Sequence, residues 1–255
     1  MTNICSETFG KGKPIVLVHG WAMHSGIWRN FARELALSYQ VTLIDLPGHG
    51  RSEAVKPFTL ETISGALLEV IDDEASCWLG WSLGAEVVLE ICRRYPDRAN
   101  KLMLLSGTPC FVKKDTWPGM DVQVLDSFAG SLQHDCQSTL FRFLALQVNG
   151  MVNQKAIFQE LKDLVYQTHT PDQGVLVDGL SILKQTDLRP AFADLHIPVA
   201  VILGQLDTLV PVAVGAKLRE LLPDIDLTII DRAGHVPFLT HPERVTAAIH
   251  QFMAK

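Results

Sequence analysis

Short apolar runs rich in branched residues recur along this chain, each closed by a turn and followed by a helical pattern. They occupy 15–18, 41–46, 77–79, 102–105, 199–203 and 227–230. Unbroken apolar runs of this length suit strands buried on both faces, the condition of a parallel sheet with crossover helices. Between them Ile27, Trp28, Phe31 and Leu35 repeat at helical spacing, as do Val87, Val88 and Ile91, and later Val245, Ile249 and Phe252. The expected class is therefore α/β, a mostly parallel, doubly wound sheet. The strand–helix rhythm stops between about 108 and 190, where helical patterns dominate. That stretch reads as an inserted helical cap, with 1–107 and 191–255 as the core.

A chain of 255 residues can bury one sizeable core without disulfide or metal staples. The N-terminal stretch has no apolar run behind a basic one, and nothing approaches the roughly 20 apolar residues of a membrane helix. A cytoplasmic protein is expected, with no membrane contact. Its five cysteines (5, 77, 92, 110 and 136) are odd in number, widely spaced and mostly set among apolar neighbours, which reads as buried free thiols. No CxxC pair suggests zinc, and no metal or cofactor is expected. A net charge of −6 without a dense Lys/Arg run argues against nucleic acid. The same charge repels acidic proteins overall, so one could dock only on a locally basic patch. A monomer is expected.

The strongest chemical signal is Gly80-Trp81-Ser82-Leu83-Gly84, between an apolar strand and a helix. Glycines on both sides permit a sharp bend that lifts the Ser82 hydroxyl above a helix N-terminus. A serine rather than an aspartate here argues against hydrolases that use a carboxylate nucleophile. Serine needs a base, and on such an elbow the acid and then the histidine follow in chain order. Asp207 lies just past the run 199–203 and His235 just past 227–230, where parallel sheets place their sites. Asp226 and Asp231 are rivals to Asp207, but they lie on or beside the strand leading to His235 and would reach its ring awkwardly. The backbone N–H groups of Leu83, after the nucleophile, and Trp21, after His19-Gly20, are the oxyanion-hole candidates. Asp45-Leu46-Pro47-Gly48-His49-Gly50-Arg51-Ser52 reads as a scaffold turn.

Taken in order over the full chain, His19-Gly20, the DLPGHGRS turn, GWSLG, GQLD and AGHVPF resemble the α/β-hydrolase superfamily. More narrowly, Gly107-Thr108-Pro109-Cys110-Phe111, Trp117-Pro118-Gly119 and Phe141-Arg142-Phe143-Leu144-Ala145-Leu146-Gln147 look like the pimeloyl-[acyl-carrier protein] methyl ester esterases of biotin synthesis. The resemblance implies hydrolysis of a methyl ester on a pimeloyl chain attached to its carrier protein, with release of methanol. It also implies acyl contacts from Trp21, Ser82, Leu83, Phe143, Leu144, Ala145, Leu146, Gln147 and His235. A helical wheel puts Leu140, Phe143, Leu144 and Gln147 on one face and Arg142 on the opposite side. Further on, Lys155, Gln159, Lys162 and Tyr166 share a face. Arg142, Lys155 and Lys162 are candidates for docking the acidic carrier protein, and a solvated helix face is the alternative for the lysines. Side activity on short-chain esters is expected, since one methylene discriminates by only about 1–3 kcal/mol. Two other functions share these features: a carbon–carbon bond hydrolase of dienone acids, and a non-catalytic small-molecule binding protein.

Overall fold

The computed structural model describes residues 2–72, 74–166 and 171–255. Its seven strands are β1 (Ser6–Phe9), β2 (Pro14–Val18), β3 (Gln40–Ile44), β4 (Ser76–Trp81), β5 (Ala99–Leu105), β6 (Val199–Gly204) and β7 (Asp226–Ile230). They form one sheet in the order β1-β3-β2-β4-β5-β6-β7. All neighbours are parallel except β1, which runs antiparallel to β3 at the edge. The six apolar runs are the six strands β2 to β7. The polar Ser6-Glu7-Thr8-Phe9 stretch carries no apolar run, yet it forms β1, half exposed on the edge.

Among the described residues there are eleven α-helices: α1 (Arg29–Leu35), α2 (Leu60–Leu68), α3 (Leu83–Arg94), α4 (Val122–Leu132), α5 (Cys136–Gln147), α6 (Gln154–Val165), α7 (Gln173–Gln185), α8 (Arg189–Ala193), α9 (Val214–Leu221), α10 (Pro237–Thr240) and α11 (Pro242–Met253). Successive strand residues point to opposite faces, so the sheet sorts its side chains into two cores. Val16, Val18, Leu102, Leu104, Val199 and Val201 meet α2, α3, α8 and α9 on one face. Ile15, Leu17, Met103, Leu105, Ala200 and Ile202 meet α1, α10 and α11 on the other. Among the described residues no helix is long and apolar enough to cross a membrane. All five cysteines are unbridged; Cys77, Cys92 and Cys110 are buried, whereas Cys5 and Cys136 are only half-buried.

Between β5 and β6 lie α4 to α7, within the segment expected to form the cap; residues 167–170 of that segment lie outside the described residues. The expected boundary at 190 falls inside α8, which packs on α3 and α9. Helix α5 starts at Asp135, whose carboxylate accepts from the Ser138 amide at 3.0 Å, an N-cap that satisfies one orphan donor. Helices α4 to α7 extend both cores. Leu125, Phe128, Leu140, Phe143, Leu176 and Leu180 join the first core, and Leu144, Leu161 and Val165 join the second.

One buried residue goes against this pattern. Glu86 of α3 is 1% exposed, both its carboxyl oxygens lack a hydrogen-bond partner among the described residues, and burial pushes its pKa well above the usual carboxylate range. It is carried as a neutral acid inside an apolar layer.

Candidate active site

The strand order places the site. β2 is flanked by β3 on one side and β4 on the other, so the strand order reverses between β2 and β4, and sheets of this kind place their sites at the carboxyl ends of the strands at such a point. The first loop carries His19, Gly20 and Trp21, and the second is the bend at Ser82.

Ser82 has φ 56° and ψ −120°, in the positive-φ half of the backbone map that a residue with a side chain normally avoids. The fold holds it there by close approach of backbone to backbone. A Cβ on Gly80 would overlap the Gly84 carbonyl oxygen, and one on Gly84 would overlap the Val18 carbonyl oxygen. Small residues at these positions let α3 start directly on the sheet. Leu83 is the first residue of α3, so its amide N–H has no acceptor within the helix. Ser82 itself is 3% exposed.

His235 follows β7 and Asp207 follows β6, each past a strand's carboxyl end. His235 Nδ1 lies 2.8 Å from Asp207 Oδ2, with both side chains wholly buried. The other carboxylate oxygen, Oδ1, accepts from the amides of Leu209 and Val210, each at 2.9 Å. With the acid held as an acceptor, Nδ1 carries the proton and Nε2 is left with its lone pair. The sequence rivals are engaged elsewhere. Asp226 pairs with Lys255, and Asp231 is exposed beside Arg232.

His235 Nε2 and Ser82 Oγ are both buried, and neither has a hydrogen-bond partner among the described residues. The serine–histidine bond expected from the sequence is thus not made in this resting geometry. Catalytic hydrogen bonds commonly tighten only once substrate is bound. Backbone contacts nevertheless fix the histidine next to the nucleophile's strand. The Trp81 indole N–H donates to the His235 carbonyl at 2.8 Å, and the two rings lie 5.7 Å apart. The His235 amide donates to the carbonyl of Gln147, the last residue of α5, at 3.0 Å. Thr208 Oγ1, beside the acid, donates to the Leu146 carbonyl at 3.1 Å. These three contacts join residues far apart in the chain, and the sequence carries no signal for them beyond GWSLG itself.

The turn after β2 is braced by buried histidines. His19 accepts the Leu46 amide through Nε2 at 2.9 Å and donates Nδ1–H to the Gly20 carbonyl at 2.8 Å. Burial, aided by nearby His49, pushes its pKa down to about 3, and burial pushes His49 down to about 4. Both stay neutral, as a scaffold requires. Asp45 anchors the DLPGHGRS turn by accepting from the amides of Ser25 at 2.6 Å and Arg51 at 3.1 Å.

Trp21 reaches helices α5 and α7. Its indole N–H donates to the Leu176 carbonyl of α7 at 2.8 Å, and its ring meets Phe143 of α5 edge-on at 4.7 Å. Phe143 in turn meets Phe128 of α4 at 5.9 Å. On α5, Leu140, Phe143, Leu144 and Gln147 are buried, while Arg142 is exposed, as the wheel predicts. Both polar atoms of the Gln147 carboxamide are buried without a partner among the described residues. Ala145 and Leu146 instead line a groove of about 580 Å³ between α4 and α5, with Val124, Phe128 and Arg142. Arg142 sits 5.8 Å over the Phe128 ring and Lys162 sits 4.7 Å over the Phe141 ring, so both keep an apolar stem on the protein. Lys155 is exposed on α6.

Residues 13–242 match the profile of the α/β hydrolase fold family. The chain is 44% identical, over 97% of each chain, to a pimeloyl-[acyl-carrier protein] methyl ester esterase of Methylococcus capsulatus. It is 37% identical, over 96% of each, to the enzyme of that name from Pectobacterium atrosepticum. Among solved structures, an esterase from Exiguobacterium antarcticum superposes with a TM-score of 0.90 at 22% identity, over 100% of this chain and 96% of that one. An enol-lactonase from Burkholderia xenovorans superposes with a TM-score of 0.85 at 20% identity, over 100% and 97%. At those identities the two structures speak for the fold alone.

Proposed function

This chain is a member of the α/β-hydrolase family and, within it, of the pimeloyl-[acyl-carrier protein] methyl ester esterases, and on that premise we propose how its residues perform ester hydrolysis. The substrate is the methyl ester of a pimeloyl chain carried on acyl-carrier protein. Ser82 Oγ attacks the ester carbonyl while His235 Nε2 takes its proton. Asp207 keeps the imidazole in the required tautomer and stabilises the imidazolium that forms. The N–H groups of Leu83 and Trp21 receive the developing oxyanion. Collapse expels methanol, which takes the proton back from His235. Water then attacks the acyl-enzyme by the same route in reverse, freeing the carboxylic acid and Ser82. The observation that carries this reading is a serine forced to positive φ at the mouth of a buried helix, beside a histidine whose far nitrogen is already bound to a carboxylate.

Residues 108–190 serve as the cap over this site, and 1–107 with 191–255 as the catalytic core. Phe143, Leu144 and the Gln147 carboxamide face inward toward the acyl chain, and Ala145 and Leu146 border the groove beside Arg142. Arg142, Lys155 and Lys162 give the cap its cationic face for the acidic carrier. A neutral methyl ester enters an apolar channel at little cost, whereas the carboxylate product is poorly solvated there and departs.

The test is purified protein against the carrier-linked methyl ester and against p-nitrophenyl butyrate, with Ser82→Ala alongside. Turnover of both esters, loss of turnover in the variant and fluorophosphonate labelling of Ser82 alone are the expected results. Retained turnover in Ser82→Ala, or labelling without turnover of any ester, rejects the mechanism.

A further inference from the structure

The residue before the nucleophile has a role that the triad does not include. Trp81 is the last residue of β4, so its backbone is covalently continuous with Ser82. Its side chain is 1% exposed in the second core, edge-on to Phe238 at 5.2 Å and to Trp28 at 6.1 Å. From this packed position its only polar atom reaches 154 residues along the chain to the His235 carbonyl, at 2.8 Å. The indole is therefore a rigid strut of fixed length, joining the strand that carries the hydroxyl to the backbone of the base. We propose that the Trp81 indole N–H is a positioning element for catalysis, setting the distance and angle between Ser82 Oγ and His235 Nε2. This rests on the triad reading above.

The geometry explains why a strut is needed. The Asp207 bond fixes the histidine's Nδ1, but a ring held by one nitrogen can still swing about its backbone. The His235 amide is tied to Gln147 of the cap, so without Trp81 the base would follow the cap rather than the nucleophile. Bonding its carbonyl to the residue beside Ser82 couples base and hydroxyl directly. The competing account is simple satisfaction, because a buried indole N–H needs some acceptor wherever it sits.

Trp28 separates the two accounts. It belongs to the same core and touches the same Phe238 ring, at 4.2 Å, but its Nε1 has no hydrogen-bond partner among the described residues. Trp81→Phe and Trp28→Phe thus remove the same atoms from one cluster, and only the first removes the strut. With p-nitrophenyl butyrate, Trp81→Phe is expected to lower kcat about 10- to 100-fold with KM within twofold, the scale of a misplaced reacting group. Trp28→Phe is expected to keep kcat within twofold. Replacing Trp81 with 3-benzothienylalanine, which keeps ring size and removes the donor, is expected to match Trp81→Phe and covers the case in which the phenylalanine variant folds poorly. The proposal is overturned if kcat of the benzothienyl variant stays within twofold of wild type, if the loss appears in KM alone, or if Trp28→Phe loses kcat equally. Ser82→Ala distinguishes the two levels: activity surviving in that variant removes the triad and the strut together, whereas its loss beside an unaffected Trp81 variant removes only the strut.

Discussion

Glu86 offers the sharpest energetic test. Folding takes its carboxyl from water into an apolar layer where neither oxygen finds a donor among the described residues. A neutral polar group buried in this way costs about 1–3 kcal/mol. Leucine has a similar volume, so Glu86→Leu should recover that cost without overpacking. For a chain of this size about 1 kcal/mol moves Tm by roughly 2–4 °C, so this cost alone should raise Tm by about 2–12 °C near pH 4, before ionisation of the unfolded carboxyl adds to it. The pH dependence adds a second signature. Burial raises the folded-state pKa of Glu86, whereas the unfolded chain releases the proton in the ordinary glutamate range near ~4.3. Unfolding above that range therefore releases a proton, and raising the pH favours the unfolded state. The stability linked to this proton is complete below the unfolded pKa. It then falls by about a factor of ten in the folding equilibrium per pH unit until the folded pKa is reached. Urea titrations of wild type and Glu86→Leu at pH 5, 6 and 7 should show a gap that widens with pH. Glu86→Gln should remove the pH dependence but recover less stability, since its amide is still unpaired. A leucine variant less stable than wild type at pH 7, or a gap constant with pH, would show that the carboxyl is ionised or satisfied after all.

Two further outcomes concern the reaction. Asp207→Asn keeps a carbonyl oxygen for the Leu209 and Val210 amides but turns an NH2 toward His235 Nδ1. The proton then moves to Nε2, the ring can no longer accept from Ser82, and kcat should fall by about 10⁴ with KM little changed, measured on p-nitrophenyl butyrate. Arg142→Glu, which reverses an exposed charge beside the α4–α5 groove, should raise KM for the carrier-linked ester about tenfold and weaken its salt dependence, while turnover of p-nitrophenyl butyrate stays at wild-type level.

The parallel strands were legible because burial on both faces demands uninterrupted apolar residues, and such runs announce themselves. β1 escaped notice because an edge strand needs only one partner and tolerates Ser, Glu and Thr facing water. Helix α2 went unread among the core helices for a different reason: its start depends on a reciprocal bond between Thr59 and Thr62, and its apolar residues bunch at Ala66, Leu67 and Leu68, which blurs the helical period. At the site, Ser82, Asp207 and His235 could be placed because each follows a strand at a turn. The inward face of α5 followed from its period. Trp81, Gln147 and Thr208 were beyond reach as braces of the acid and base. Their bonds run to backbone atoms, which every residue has, so no residue type marks the partner.

The hydrogen bonds from His235 and Thr208 to the last turn of α5 bear on how such enzymes diversify. A helical insertion that merely rested on its sheet could be exchanged for another by cutting at two loops. Here the terminal carbonyls of α5 are fixtures of the machinery beneath it, so a transplanted insertion would have to bring an equivalent pair of acceptors to the same height. New substrate preferences are then cheaper to reach by changing side chains along α5 than by swapping the insertion whole.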